Sequence, residues 1–221
     1  MIFFTRIIAA FLIMFALVAG ANNVAAEPMA EQDIALVQKT LSSNVFASGG
    51  FIQHRHLNAI PRPLVSSGQF AIWSQQGIYW QTEQPFFSAT TYTADDVIDW
   101  SEDLQALPSS GSLGTIQKYI NEVMVALLNV DNEALARYFA SEWSGTPQQW
   151  ELRLVPSRAT VRRSIDNIHI EGEKLIQRIV LESAEGEKTD IQFSDVITAQ
   201  AVDPNFCPRF FRAPTNPCNT P

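Results

Sequence analysis

The stretch 51-FIQHRHLNAIPRPLVSSGQFAIWSQQGIYWQTEQPFFSATTYTADDVIDW-100 decides the fold. Alternation places Phe51, Gln53, Arg55 and Leu57 on one side of a first strand, and Ile52, His54 and His56 on the other. Two prolines make 58–63 a loop. A second strand covers 64–73, with Gly68 in its middle as a point of bulge or bend. Ser74 to Gly77 turns into a third strand over 78–82, and a fourth follows over 86–93. Ala94-Asp95-Asp96 turns again into a fifth over 97–101. Aromatic residues fall on both sides of these strands: Trp73 opposes Phe70 and Ile72, and Tyr79 opposes Ile78 and Trp80. A sheet covered by helices on one side needs only one apolar face. The surplus implies a second packed layer or an apolar cavity for a ligand.

Outward from this stretch, Ile34, Val37 and Leu41 recur at helical spacing and predict an amphipathic helix over 31–43, closed by Ser48-Gly49-Gly50. Beyond 100 lies a polar, proline-punctuated loop. The 3.6-residue spacing of Ile116, Ile120, Val123 and Leu127 then predicts a helix over about 115–128, with Met124 in it, and Leu135 and Phe139 a shorter one over 132–140. Ser144-Gly145-Thr146-Pro147 closes this helical insert. Trp150, Leu152 and Leu154 alternate with Glu151 and Arg153 in a strand with one buried face. Further strands are predicted over 160–170, 174–182 and 189–193, the last two preceded by short glycine-bearing turns. The fold class is mainly β (α+β): one strongly curved antiparallel sheet with helices gathered on one side.

The 221 residues divide into three parts. Residues 1–26 read as a cleavable signal peptide, with Arg6 before an apolar run from Ile7 to Val18 and small residues at Val24 and Ala26. No cysteine stands directly after the cleavage point, where Glu27 lies, so no lipid anchor is expected. Residues 27–202 form the folded domain. Residues 203–221 form a Pro-rich tail, expected as an extended strap. The chain's two cysteines, Cys207 and Cys218, both lie there, and in an oxidising compartment a disulfide between them is the favoured pairing.

The net charge of −8 becomes −9 when Arg6, the one charged residue of the leader, is removed. That balance argues against nucleic acid, and against adhesion to anionic lipid by charge alone. His54 and His56 share a strand face, but the chain's one other histidine is His169, so a polar strand face outweighs a metal site. There is no Gly-x-Ser-x-Gly and no glycine-rich nucleotide loop. The acids Asp95, Asp96, Asp99, Glu102 and Asp103 read as turns and solvated edges. The chain is therefore expected to be no enzyme and to use no cofactor.

The order of these features resembles the LolA family, the periplasmic carriers of outer-membrane lipoproteins, and in particular its branch linked to envelope lipid and glycolipid export. The residues that carry the resemblance are Phe51-x-Gln53, Ser67-Gly68-x-Phe70, Gly77-Ile78-Tyr79-Trp80 and Pro85-Phe86. They continue with Leu127-Leu128-Asn129-Val130-Asp131 before Leu135 and Phe139, then Trp150-x-Leu152-x-Leu154-x-Pro156, then the hairpins at Gly172 and Gly186. The resemblance implies an incomplete β-barrel with a helical lid over an apolar interior. It also implies a soluble, monomeric periplasmic chaperone that takes acyl chains of a lipoprotein or lipid from an inner-membrane donor to an outer-membrane acceptor. The side chains expected to contact such cargo are Phe51, Phe70, Ile72, Trp80, Phe86, Tyr92, Ile120, Met124, Phe139, Trp150, Leu152 and Ile191. In the family the turn after the second strand carries an arginine followed by proline, and that arginine bonds to the lid. Here the turn is Ser74-Gln75-Gln76-Gly77, which has neither. The alternative to a carrier is a scaffold of an envelope complex that uses the same aromatic surface for a protein partner.

Overall fold

The computed structural model describes residues 28–74, 76–93, 96–108, 126, 132–212 and 218. The leader and, apart from Ala126, the helix expected over 115–128 lie outside the described residues, as do Ile120 and Met124. Helix α1 (Glu31–Ser42) begins with Glu31 and Asp33 in its first turn and ends with Lys39 in its last, charges that suit the helix dipole. Strands β1 (Phe46–His56), β2 (Leu64–Trp73), β3 (Gly77–Gln84), β4 (Ser88–Thr93) and β5 (Val97–Trp100) follow. A short helix α2 (Asn132–Ala136) leads to β6 (Phe139–Thr146) and β7 (Gln149–Pro156). After the single turn α3 (Ala159–Arg162) come β8 (Ile165–Gly172), β9 (Ile176–Ser183) and β10 (Lys188–Ala199).

All ten strands form one antiparallel sheet in the order β5-β4-β3-β2-β1-β10-β9-β8-β7-β6. The two halves meet where β10 pairs with β1, from Phe46↔Ala199 to His56↔Lys188. The sheet is not closed, and β5 and β6 are its edges. It is concave on one side. Phe70 of β2 and Phe193 of β10 are two strands apart, about 9.6 Å in a flat sheet, yet their ring centroids are 4.9 Å apart. Gly68 sits where the β2–β3 register slips, and a Cβ there would overlap the Gln81 carbonyl. The bulge bends the sheet at the point read from the sequence.

Two cores occupy opposite faces. On the concave face, Trp150, Leu152, Leu154, Ile168 and Ile170 are fully buried beneath Val37 of α1, Leu135 of α2 and Val161 of α3, with Ala126 in the same cluster. On the convex face of β1–β5, Phe46, Ala71, Tyr79, Ala89, Ile98 and Trp100 are covered by the tail, through Val202, Phe206, Phe210 and Phe211. The second packed layer is thus the answer to the aromatic surplus on that side. The tail is not a plain extended strap: it turns through a 3-10 helix at Cys207–Phe210 and is held by the Cys207–Cys218 disulfide, whose Cα atoms lie 5.8 Å apart. The Thr91 hydroxyl donates to the Arg209 carbonyl at 2.6 Å and accepts from Trp100 Nε1 at 2.9 Å. The Arg212 guanidinium donates to Asp96 and to the Val97 and Leu107 carbonyls, fastening the tail to β5.

Four expectations need correction. Ser48-Gly49-Gly50 does not end the first helix; it lies inside β1 at a bulge against β10. A Cβ on Gly49 would come 2.7 Å from the Ser194 carbonyl, so glycine marks close strand approach there and not a helix stop. Phe139 belongs to no helix: it opens β6, a strand the sequence reading missed. Leu135, Phe139 and Trp143 recur every four residues, which keeps one face in a helix and in a strand alike. The segment from Thr160 begins as a helical turn, and the strand starts only at Ile165. Phe86 is not in β4 but in the turn before it, 81% exposed.

Candidate functional site

The concave face differs between its two halves. Over β6–β9 it is filled, and three of the side chains expected to touch cargo, Phe139, Trp150 and Leu152, are packed there with at most 2% exposure. Trp150 also donates its Nε1 to the Glu173 carbonyl at 2.6 Å, which fixes it as a structural element. Over β1–β4 and β10 the same face is less completely covered. Phe51 and Phe70 are buried, but Ile72, Trp80, Tyr92 and Ile191 are only half-buried.

The geometry gathers a quartet of rings. Register pairs Phe51 with Phe193 across β1–β10 and Phe70 with Trp80 across β2–β3. The Phe51 and Trp80 rings lie 4.0 Å apart, Phe70 and Phe193 4.9 Å, Phe70 and Trp80 6.3 Å, and Trp80 and Phe193 6.3 Å. Gly68 opposite Phe51 leaves the space that Trp80 leans into. Beside the quartet, a small cavity of about 60 Å³ is lined by Leu41, Ala47, Phe70, Ile72, Ile176 and Phe193, among others. It has room for a few water molecules, well short of the roughly 300–1,000 Å³ of a ligand pocket. Leu41, near the end of α1, forms part of its wall.

Of the twelve expected contacts, the structure brings Phe51, Phe70, Ile72 and Trp80 together. It sets Tyr92 one strand beyond them, opposite Ile78. Ile191 lies two residues from Phe193 along β10. Phe86 lies off the concave face altogether. Sequence reasoning missed Phe193, although its alternation with Asp190 and Gln192 placed it beside Ile191. Leu41, Ile176 and Val196 were missed too, because nothing local signals that a helix end and two distant strands meet at one cavity.

Electrostatically this face is quiet. The Tyr92 phenol is pushed above its ordinary value, first by burial and then by the neighbouring Asp99 carboxylate, so it stays neutral. Asp99 accepts from the Thr90 hydroxyl at 2.9 Å. Among the described residues no three His, Cys, Asp or Glu side chains are grouped to hold a metal ion, and no helix is long and apolar enough to cross a membrane. The turn Ser74 to Gly77 is held by backbone bonds, Ser74 N–H to the Val45 carbonyl at 2.8 Å and Gln76 N–H to the Trp73 carbonyl at 2.9 Å.

Comparison with known proteins adds the following. No curated protein matches the sequence. Solved structures that superpose include a LolA superfamily protein from Nitrosomonas europaea, 9% identical, with a TM-score of 0.42 over 79% of this chain and 96% of that one. MucB in complex with MucA(peri) is 13% identical, with a TM-score of 0.40 over 79% of this chain and 57% of MucB. A putative outer membrane lipoprotein-sorting protein domain from Vibrio parahaemolyticus is 8% identical, with a TM-score of 0.28 over 80% and 96%. These likenesses are too distant to bear on cargo. The model of the family described as outer membrane lipoprotein carrier protein LolA-like matches residues 25–203, which take in all ten strands, and on that match this protein belongs to the LolA-like family.

Proposed function

We propose that this protein is a periplasmic carrier that shields the acyl chains of a lipid or lipoprotein against the concave face of β1–β3 and β10, between an inner-membrane donor and an outer-membrane acceptor. The observation that carries the reading is the quartet Phe51, Phe70, Trp80 and Phe193, of which Trp80 and Phe193 are only half-buried, adjoining an apolar cavity at the end of α1. Family membership supports it. No covalent step is involved. Burying acyl chain yields about 0.8 kcal/mol per methylene, so a chain of a dozen methylenes offers roughly 10 kcal/mol against displacing α1. The cargo is held by area and shape, and it is released when a membrane or acceptor offers equal burial.

The test is native mass spectrometry of the protein purified from its own periplasm, paired with a photo-reactive residue at position 80 in cells. Co-purifying acyl lipid and a lipid adduct at position 80 are the expected results. An apo mass together with a tightly bound partner protein, and no lipid adduct at 80, would establish the scaffold instead.

A further inference from the structure

The sheet has two edges, and the chain covers them differently. At β5 the residues that follow it fold back: Leu107 N–H donates to the Asp99 carbonyl at 2.8 Å, and Trp100 bridges to Ala106. At β6 the cover comes from the opposite end of the sequence. Among the described residues, Pro28 bridges to Ser144, and Met29 N–H donates to the Trp143 carbonyl at 3.0 Å. The Met29 side chain is 8% exposed and joins the concave core with Trp143. This pairing cannot lengthen. Proline has no N–H to give, and Ala30 already caps α1, its carbonyl accepting from Asp33 and Ile34 N–H.

Helix α1 runs from this clasp to β1. In the sheet β6 and β1 are five strand spacings apart, about 24 Å if the sheet were flat. The twelve residues of α1 span about 18 Å. α1 is thus a chord across the concave side. It starts at the edge of β6, and its Leu41 reaches the wall of the cavity beside Phe70 and Phe193. The two ends are held unequally. The far end continues into β1, where Ser74 N–H donates to the Val45 carbonyl at 2.8 Å and Gln200 Nε2 to the Ser43 carbonyl at 3.2 Å. The near end rests on the clasp. Between them the hold is slight: Val37 is the one buried side chain of α1, Leu36 is 50% exposed, and Ala30 makes no side-chain cap.

We propose that Pro28 and Met29 are a releasable clasp. Their departure from the edge of β6 lets α1 swing about residues 43–45 and uncovers the concave face. Trp143 makes the closed form ready to open. Its Nε1 is buried with no hydrogen-bond partner, and a buried donor without an acceptor counts against the state that buries it. Lifting Met29 lets water reach that indole. The gating of cargo rests on the carrier reading above, whereas the clasp itself does not.

The test is hydrogen exchange read by mass spectrometry on the exported, processed protein, with uptake of a fluorescent fatty acid measured beside it. M29S should speed exchange over residues 31–42 by about tenfold or more and leave β8 exchanging as in the wild type. P28C/S144C, joined by a disulfide, should slow both exchange over 31–42 and uptake of the fatty acid. Facing residues of an antiparallel pair are close enough for that bond, and peptide mapping distinguishes it from Cys207–Cys218. Should M29S loosen β8 as well, the cross-linked form alone decides. The proposal is overturned if exchange over 31–42 is unchanged in M29S, or if cross-linking leaves that exchange at the wild-type rate. It is also overturned if the cross-linked form admits the fatty acid as fast as the wild type does. If exchange responds in both variants but no form takes up fatty acid, the clasp stands and the carrier reading fails.

Discussion

Replacing Thr91 by valine tests whether the tail is part of the fold or an appendage. Thr91 is fully buried in β4, and its hydroxyl is one polar link between the sheet and the tail, beside that of Arg212. Valine keeps the shape of threonine but removes both a donor and an acceptor. The Arg209 carbonyl then loses the hydroxyl that reaches it at 2.6 Å, and Trp100 Nε1 loses the oxygen it meets at 2.9 Å. Trp100 is only 7% exposed, so water replaces that oxygen poorly. An orphaned buried polar group costs about 1–3 kcal/mol. Two such groups sharing one lost partner should cost roughly 2–4 kcal/mol. Serine keeps the hydroxyl and loses one methyl, for about 1 kcal/mol. Urea unfolding followed by fluorescence should therefore rank the wild type first, Thr91→Ser next and Thr91→Val last. A cycle with Trp100→Phe should show coupling of 0.5 kcal/mol or more, the range for residues in contact. If Thr91→Val proves as stable as Thr91→Ser, the tail contact contributes nothing and the convex core has been misread.

Three further outcomes follow from the same structure. Cys207→Ala with Cys218→Ala opens a loop of sequence separation 11 and should cost about 2–3 kcal/mol, with new proteolytic cleavage after Val202 seen by mass spectrometry. Gly68→Ala forces a methyl against the Gln81 carbonyl and should destabilise by roughly 2–3 kcal/mol in thermal melts; a neutral result would mean that the β2–β3 bulge is dispensable. Asp190 is held below the usual carboxylate range, chiefly by its hydrogen bonds from Arg178, at 2.7 Å and 2.9 Å. A depressed carboxylate stabilises fully above its unfolded value near 3.9 and loses that contribution as pH falls toward its folded value. Asp190→Asn should thus be about 1–2 kcal/mol less stable at neutral pH, and the gap should close on titration from pH 5 to pH 2.

Much of the sheet was legible because its strands carry their own signals. β2 lies at the residues read from alternation, and β7 declares itself through Trp150, Leu152 and Leu154. Strand limits failed where glycine has two meanings: Gly49 and Gly50 stop a helix in the local code but admit a neighbouring strand in the fold. β6 failed because its large inward residues, Phe139 and Trp143, are four apart with Ser141 between them. The candidate site was half legible. Phe51, Phe70, Ile72 and Trp80 follow from strand parity, but separating them from Trp150 and Leu152 needs burial, which parity does not report. Phe206, Phe210 and Phe211 sit among prolines without periodicity, so their partners Trp73 and Tyr79 came only from the structure.

The two cores lie on opposite faces of one sheet, the concave one centred on β6–β9 and reaching Ile78 of β3, the convex one on β1–β5. The strands that bear the half-covered aromatic face are packed from behind, by the disulfide-bound tail, and continue into β6–β9, which are packed from the front. The concave core takes in Ile78 on the front of β3, while Trp80 and Tyr92 beside it stay half-buried. For the carrier proposed above, this means that cargo is not needed to stay folded and that emptying need not bring collapse. Occupancy adds stability only through the ligand's own binding free energy. The loaded and empty forms should then differ by the position of α1 and little else, which allows repeated loading and discharge without refolding.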